Sequence, residues 1–162
     1  METIVMKKPL LTKAPVSDLK AHTGFWLRFL SNHVSHAFAR KLQGTGVTVA
    51  EWVLLREMYD REEIAPSVLA GLTGMTRGAA SKLIDRLLAK QLVTRQDRTD
   101  DRRFQDVALS ATGRKLVPSL AAIADQNDQE FFSLLSRAER EALIATLNKL
   151  VRTHQLHRFP TE

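Results

Sequence analysis

The sequence predicts a mainly α-helical fold, in which a helix-turn-helix and a β-hairpin lie between long amphipathic helices. Three observations carry this prediction. Apolar residues recur at helical spacing over residues 17–42 and 110–156. Residues 66–90 read as a short helix, a turn with glycine and a longer helix. After Leu92 the apolar spacing changes to every second residue, which is typical of strands.

A long first helix is predicted from Ser17 to Leu42, with Ser17 as its N-cap. Its apolar stripe repeats every four residues and comprises Trp26, Leu30, Val34, Phe38 and Leu42. Gly44 and Gly46 then end the helix. Residues 1–16 carry three lysines and two prolines without a sustained period, so we expect a flexible tail there.

The next helix is predicted over Val49–Tyr59. Thr48 precedes it, and Glu51 follows Thr48 by three residues. This is the spacing of a capping box, in which each side chain bonds the other residue's backbone N–H. The helix-turn-helix should follow after a polar connection.

Pro66 suits a first helical turn, so Pro66–Leu72 is predicted as a short helix. Gly74 makes the turn, and Thr76 caps a helix that runs to about Lys90. At ~100° per residue, one side of this helix is apolar. That side comprises Ala79, Ala80, Leu83, Ile84, Leu87 and Leu88.

The opposite side suits the major groove of DNA, and it comprises Gly78, Ser81, Lys82, Asp85 and Arg86, with Arg77 at its border. Small residues allow close approach, and cations can meet phosphates or guanine acceptors. Asp85 could accept from a cytosine amino group or pair with Arg86 or Lys82. A simple solvated amphipathic helix is the alternative interpretation.

Two strands are predicted next, over Leu92–Gln96 and Phe104–Leu109. In the second, Val107 and Leu109 should face the core and alternate with exposed Asp106 and Ala108. The residues between the strands are nearly all charged, which predicts a solvated hairpin tip. Its arginines could enter a minor groove, and they are Arg98, Arg102 and Arg103.

Two helices should finish the chain. Ser110 caps the first, which is predicted to run to about Leu135 with a kink at Pro118. Ser136 and Glu139 have the capping-box spacing and open the second. The apolar stripe of the last helix comprises Leu143, Leu147, Leu150 and Val151.

Composition favours a polyanionic partner and narrows the chemistry. The net charge is +6, and residues 71–103 hold eight Lys or Arg against four acids. The absence of cysteine excludes disulfides and thiol chemistry, and it fits the cytoplasm. No apolar run approaches the ~18–20 residues that span a bilayer, so no membrane partner is expected.

Residues 75–116 resemble the MarR family of bacterial regulators. The resemblance rests on the helix pattern Thr76–Leu87, the wing motif Asp101–Arg103 and the strand-to-helix passage Val107–Gly113. It extends in helix order from Ser17 to about His157. One departure is Gln91, where the family usually has glycine.

The resemblance implies a winged helix-turn-helix with long dimerisation helices at both ends, acting as a homodimer on palindromic DNA. The expected regions are a tail at 1–16, dimerisation helices at 17–47 and 110–162, and a DNA-binding lobe at 48–109. A monomer that buries its own apolar stripes is the alternative. The DNA contacts would come from Thr76, Arg77, Gly78, Ser81, Lys82, Arg86, Arg98, Arg102 and Arg103.

The resemblance also implies a cleft for a small aromatic or anionic effector. The candidate residues are Trp26, Phe29, His33, Trp52 and Arg56. The alternative is that these aromatic residues are core and the arginine is surface. The histidine pairs His33/His36 and His154/His157 have zinc-like spacing but lack a third ligand, so no metal or cofactor is expected.

The sequence therefore predicts a ligand-responsive, DNA-binding repressor. The alternative is a helical dimeric adaptor that does not bind DNA, which salt-dependent binding to random duplex would distinguish. An enzyme is not expected, because the chain has no glycine-rich phosphate loop, nucleophile elbow or metal-ligand array.

Overall fold

The computed structural model describes residues 16–97 and 105–156. Two compact units divide at Asn32 and His33, and each is described separately below. Over the described residues the helices are α1 (Thr23–Lys41), α2 (Val49–Tyr59), α3 (Pro66–Leu72), α4 (Arg77–Ala89), α5 (Ala111–Phe132) and α6 (Arg137–Thr153). The strands are β1 (Val93–Asp97) and β2 (Gln105–Leu109). The fold is mainly helical, as predicted.

The first unit shows that the predicted start of α1 at Ser17 was wrong. The side chain of Asp18 accepts from the N–H of Lys20 and caps a short 3-10 helix, Leu19–Ala21. The carbonyl of Lys20 accepts from the indole N–H of Trp26 at 2.9 Å. His22 is extended, so the α-helix begins only at Thr23. A side-chain hydrogen bond thus competes with the first helical turn.

The core of the second unit forms around α2. The capping box of Thr48 and Glu51 is present as predicted, and it fixes the start of this helix. The largest fully buried apolar side chains come from α2, α3, α4, β2, α5 and the residue after α1, and they are Leu42, Leu54, Leu55, Met58, Leu69, Ile84, Leu87, Val107, Val117 and Leu120. Every element that borders α4 therefore contributes to one apolar cluster.

The helix-turn-helix has the predicted order. Pro66–Leu72 is helical, and Gly74 makes the turn at a φ of 70°, a left-handed conformation that favours glycine. The hydroxyl of Thr76 accepts from the N–H of Ala79 and caps α4. Helix α4, whose polar side is predicted to meet DNA, therefore begins at the residue that the sequence predicts.

Gln91 ends α4 in the conformation that glycine would adopt. Its φ is 58°, its N–H donates to the carbonyl of Leu88 at 2.9 Å, and the N–H of Leu92 donates to the carbonyl of Leu87 at 3.0 Å. These two bonds form a Schellman motif. Gln91 therefore forms the same C-terminal cap that the family's glycine would form.

Replacing Gln91 with glycine should stabilise the protein by about 0.5–1 kcal/mol. The left-handed conformation costs a residue with a Cβ about 1–2 kcal/mol, and the extra freedom of glycine in the unfolded chain offsets part of the gain. Urea unfolding at one protomer concentration measures the difference. Gln91→Ala is the control, because it shortens the side chain but retains the Cβ and should bring no gain. Equal stabilities of Gln91→Gly and Gln91→Ala would contradict the prediction.

The hairpin is antiparallel, with Val93 paired with Leu109 and Asp97 paired with Gln105. Strand β1 begins at Val93, one residue later than predicted, and the predicted start of β2 at Phe104 lies outside the described residues. The predicted alternation in β2 was wrong, because Asp106 and Ala108 are buried as well as Val107 and Leu109. Ile64 pairs with Val107 along the other edge of β2, so this strand is covered more fully than a free hairpin arm.

The last two helices begin at the predicted caps Ser110 and Ser136. Helix α5 ends at Phe132, three residues before the predicted Leu135, because Ser133 closes it and a turn leads into the capping box of α6. Pro118 lies inside α5. Among the described residues, no helix combines the length and the apolar character required to cross a membrane.

Candidate nucleic-acid interface

Helix α4 presents a polar face to solvent. Arg77, Gly78, Ser81, Lys82 and Arg86 are all exposed, as the sequence predicts for a surface that meets DNA. Thr76 is half-buried, and its hydroxyl serves as the cap of the helix. The residues that the sequence assigns to this face are therefore available for contact.

The opposite face of α4 is held in the core. Ala80, Ile84 and Leu87 are almost fully buried, and Leu83 and Leu88 pack against the same cluster. The sequence places Ala79 on this apolar face, but it is exposed. It lies in the first turn of the helix. A single alanine therefore adds to the close-approach surface beside Gly78.

Asp85 is the one acid on the exposed face of α4, and its charge is matched by Arg95 of β1. The two side chains meet at 2.5 Å. The sequence suggests Arg86 or Lys82 as the partner, whereas the actual partner comes from the hairpin. Because both side chains are about half exposed, the pair adds at most about 1 kcal/mol to stability. Three cations of α4 remain beside a neutralised acid.

The tip of the hairpin lies outside the described residues, and so do Arg98, Arg102 and Arg103. The described part of β1 leads directly from α4 towards that tip, and Thr94, Arg95 and Gln96 on it are exposed. The order of α3, turn, α4 and hairpin is that of a winged helix.

Sequence reasoning missed an ion pair with a buried carboxylate at the C-terminal end of α4. The ammonium of Lys90 donates to both carboxylate oxygens of Glu51 and to the carbonyl of Gly46, each at 2.7 Å. Glu51 is fully buried, whereas Lys90 is partly exposed. The capping-box spacing identifies Glu51. No local sequence signal could pair it with Lys90, which lies 39 residues later in the chain.

The pKa of Glu51 reflects opposing causes. Burial alone would raise the pKa of this carboxyl. The hydrogen bonds from Lys90 and Thr48, together with the positive charge of Lys90, outweigh burial and lower the pKa below its usual value. Glu51 is therefore ionised at neutral pH, and the pair consists of two charges.

Of the candidate effector residues, Trp26 and Phe29 belong to the first unit. Both side chains are about half exposed. The ring of Phe25 contacts both, stacked on Phe29 at 5.8 Å and edge-on to Trp26 at 5.1 Å between ring centroids. The rings of Trp26 and Phe29 also meet edge-on at 6.4 Å. This unit thus carries an exposed aromatic cluster.

The other candidate effector residues belong to the second unit. His33 is exposed, and Trp52 is half-buried with its ring edge-on to Phe38 at 6.4 Å between centroids. Arg56 is exposed and donates to the carboxylate of Asp60 at 2.7 Å. The structure therefore gives Trp52 a packing role and Arg56 an ion-pair role.

The histidines form no metal centre in the described part of the chain. His33, His36 and His154 are exposed, and His157 lies outside the described residues. No group of three or more potential His, Asp or Glu ligands comes together among the residues described.

Helix α6 exposes an apolar face. It has no buried residue, and Ile144, Leu147, Leu150 and Val151 are between 38% and 51% exposed. Only Leu143 of the predicted stripe is half-buried. Contiguous apolar surface of this kind is typical of protein–protein contacts.

Comparison with known proteins agrees with this architecture. Residues 45–103 match a model described as MarR family. The transcriptional regulator HosA of Escherichia coli O157:H7 is 26% identical over 107 residues, which cover 66% of this chain and 79% of HosA. Solved structures that are similar to this chain include two regulators.

The first is the S. aureus MepR–DNA complex, with 25% identity, a TM-score of 0.77, and coverage of 82% of this chain and 98% of that one. The second is Bordetella bronchiseptica BpsR, described in terms of the regulation of its DNA binding by 6-hydroxynicotinic acid. It has 26% identity and a TM-score of 0.78, and covers 84% of this chain and 97% of that one.

Proposed function

Because this chain belongs to the MarR family of winged helix-turn-helix transcription regulators, we propose that it binds a palindromic operator as a homodimer and represses transcription until an effector releases it. The observation that carries the proposal is the exposed polar face of α4 on a helix whose other face is fixed in the core. Binding places α4 in the major groove.

Each side chain on α4 has a distinct role in this proposal. Arg77, in the first turn, reaches guanine acceptors or phosphate, and Ser81 bonds a base edge or phosphate beside it. Gly78 lets the backbone approach closely, and Thr76 sets the start of the helix. Lys82 and Arg86 neutralise phosphates along the groove.

The wing supplies a second contact. Arg98, Arg102 and Arg103 enter the adjacent minor groove, where narrow A·T-rich tracts attract arginine. The pair between Asp85 and Arg95 supports this role, because it links α4 to the strand that leads into the wing.

The proposed dimer uses the segments 17–47 and 110–162. The exposed apolar face of α6 supports a contact with a second copy, since each copy presents the same face and a two-fold interface pairs like with like. Two recognition helices related by this symmetry would read two half-sites one helical turn apart.

The effector is a small aromatic or anionic molecule. The regulation of BpsR by 6-hydroxynicotinic acid supports this class, because that ligand is an aromatic carboxylic acid. Trp26, Phe29, His33, Trp52 and Arg56 remain the proposed ligand residues, since they supply the aromatic rings and cations that such a molecule needs.

Arg77→Ala and Ser81→Ala should each weaken operator binding by about 1–3 kcal/mol and relax the sequence preference, because each removes a proposed base contact.

Lys82→Ala should weaken binding to all duplexes and reduce the salt slope by about 1. Lys115→Ala is the matched control, because it removes one charge from an exposed position of α5. Fluorescence anisotropy at several salt concentrations measures all four. Wild-type affinity in both Arg77→Ala and Ser81→Ala would contradict the assignment of α4.

Selection of bound fragments from random duplex DNA tests the proposed function itself. A palindromic consensus is expected. Failure to enrich any sequence, together with salt-independent or absent binding to random duplex, would instead support a dimeric adaptor.

A further inference from the structure

Lys90, the residue that caps the C-terminal end of α4, makes three hydrogen bonds at once. Its ammonium donates to the carbonyl of Gly46 and to both carboxylate oxygens of Glu51. An ammonium has three N–H donors, and all three are used within the protein. Although Lys90 is an exposed cation at the end of the proposed recognition helix, it has no donor left for a phosphate.

Glu51 is fixed from its other side. Its carboxylate also accepts from the N–H of Thr48 at 2.8 Å, and its own N–H donates to the hydroxyl of Thr48. Leu54 and Leu55, one turn further along α2, are fully buried. Lys90 therefore ties the end of α4 to a rigid point of the core.

Helix α4 also carries the exposed pair of Asp85 with Arg95 of β1. Its contacts with the buried cluster are apolar, through Ala80, Ile84 and Leu87. Apolar contacts are non-directional and allow a helix to rotate or slide. Charge-assisted hydrogen bonds are short and directional. Recognition needs side chains held within about 0.5 Å of their working positions, so the directional contact with fully buried Glu51 matters most for Arg77 and Ser81.

We infer that Glu51 and Lys90 are positioning residues for DNA recognition, which fix the orientation of α4 and thereby determine the discrimination between operator and random duplex. The inference rests on the proposed function. It has an unusual consequence: Glu51→Gln makes the chain more positive, which by charge alone favours DNA, yet it should weaken operator binding.

The test compares affinities for the selected operator and for random duplex. Glu51→Gln retains an oxygen that can accept from Thr48, and Lys90→Met retains most of the volume of the side chain. Each should lower operator affinity about tenfold, with random-duplex affinity and salt slope close to those of the wild type. Glu57→Gln is the matched control, because it removes the same charge from α2 at a residue paired with Arg61, and should leave both affinities unchanged.

A second control separates positioning from stability. Val117→Ala removes buried methyl groups from α5 without touching the ion pair, and when folded it should bind the operator like the wild type. Unfolding curves set the temperature at which every variant is folded. If Glu51→Gln does not fold, the ratio of operator affinity to random-duplex affinity in Lys90→Met decides.

Three results have separate meanings. Operator binding by Glu51→Gln at or above wild-type affinity overturns the inference. So does an equal loss on both duplexes with a smaller salt slope in Lys90→Met, since Lys90 would then be a phosphate contact. A wild-type protein that binds no selected duplex removes the proposed function instead.

Discussion

Replacing Gly113 with alanine should destabilise the protein by about 3 kcal/mol or more and lower the Tm by roughly 10 °C. Gly113 lies in the first turn of α5, and a Cβ built there would stand 2.0 Å from the carbonyl oxygen of Leu92. This is far inside van der Waals contact, and the opposing atom is backbone that cannot rotate away.

The surrounding hydrogen bonds prevent an easy escape. The carbonyl of Leu92 accepts from the N–H of Ser110, and the carbonyl of Gln91 accepts from the hydroxyl of Ser110. The same hydroxyl accepts from the N–H of Gly113 and caps α5. Relief of the clash would therefore separate the start of α5 from the end of α4 and break the cap.

Gly71→Ala is the matched control for Gly113→Ala. Gly71 also lies within a helix, but a Cβ added there would meet nothing within 4 Å, so alanine should be neutral or stabilise by up to about 1 kcal/mol. Thermal and urea unfolding at one protomer concentration measure both variants. A loss of less than about 1 kcal/mol in Gly113→Ala would mean that the junction opens at little cost, contrary to the geometry.

The helix boundaries show which information is local. Thr48, Thr76, Ser110 and Ser136 are predicted as caps and act as caps, because the acceptor and the N–H that it satisfies lie within three residues. The start of α1 was missed for the opposite reason. The hydrogen bond from Trp26 to the carbonyl of Lys20 depends on the side-chain conformation, which no spacing rule includes.

In the candidate interface, too, some features can be predicted from local sequence and others cannot. The exposure of Ser81 and Lys82 follows from helical periodicity, so the sequence predicts it. The partners of charged residues do not follow, since Asp85 pairs with Arg95 and Glu51 with Lys90 across the fold. Surface charges have many partners within reach, and tertiary packing selects one of them.

Replacing Leu147 and Leu150 together with glutamate should convert the proposed dimer to a monomer and lower operator affinity about a hundredfold or more. Both side chains lie on the exposed apolar face of α6, at 38% and 43% exposure in the single chain. A two-fold interface repeats each substitution, so both pairs of carboxylates would need to be desolvated near one another. Loss of the dimer then removes one of two linked half-site contacts.

Ala145→Glu is the control for these substitutions, because at ~100° per residue it lies on the opposite, solvated side of α6. It should remain a dimer and bind the operator like the wild type. Sedimentation or light scattering gives the mass, and urea unfolding checks that each chain still folds. A folded double variant that remains a dimer would exclude this face as the contact. A monomer with undiminished operator affinity would mean that one winged helix suffices for recognition. The proposed function would then lose its palindromic operator, but α4 would still be the helix that contacts the bases.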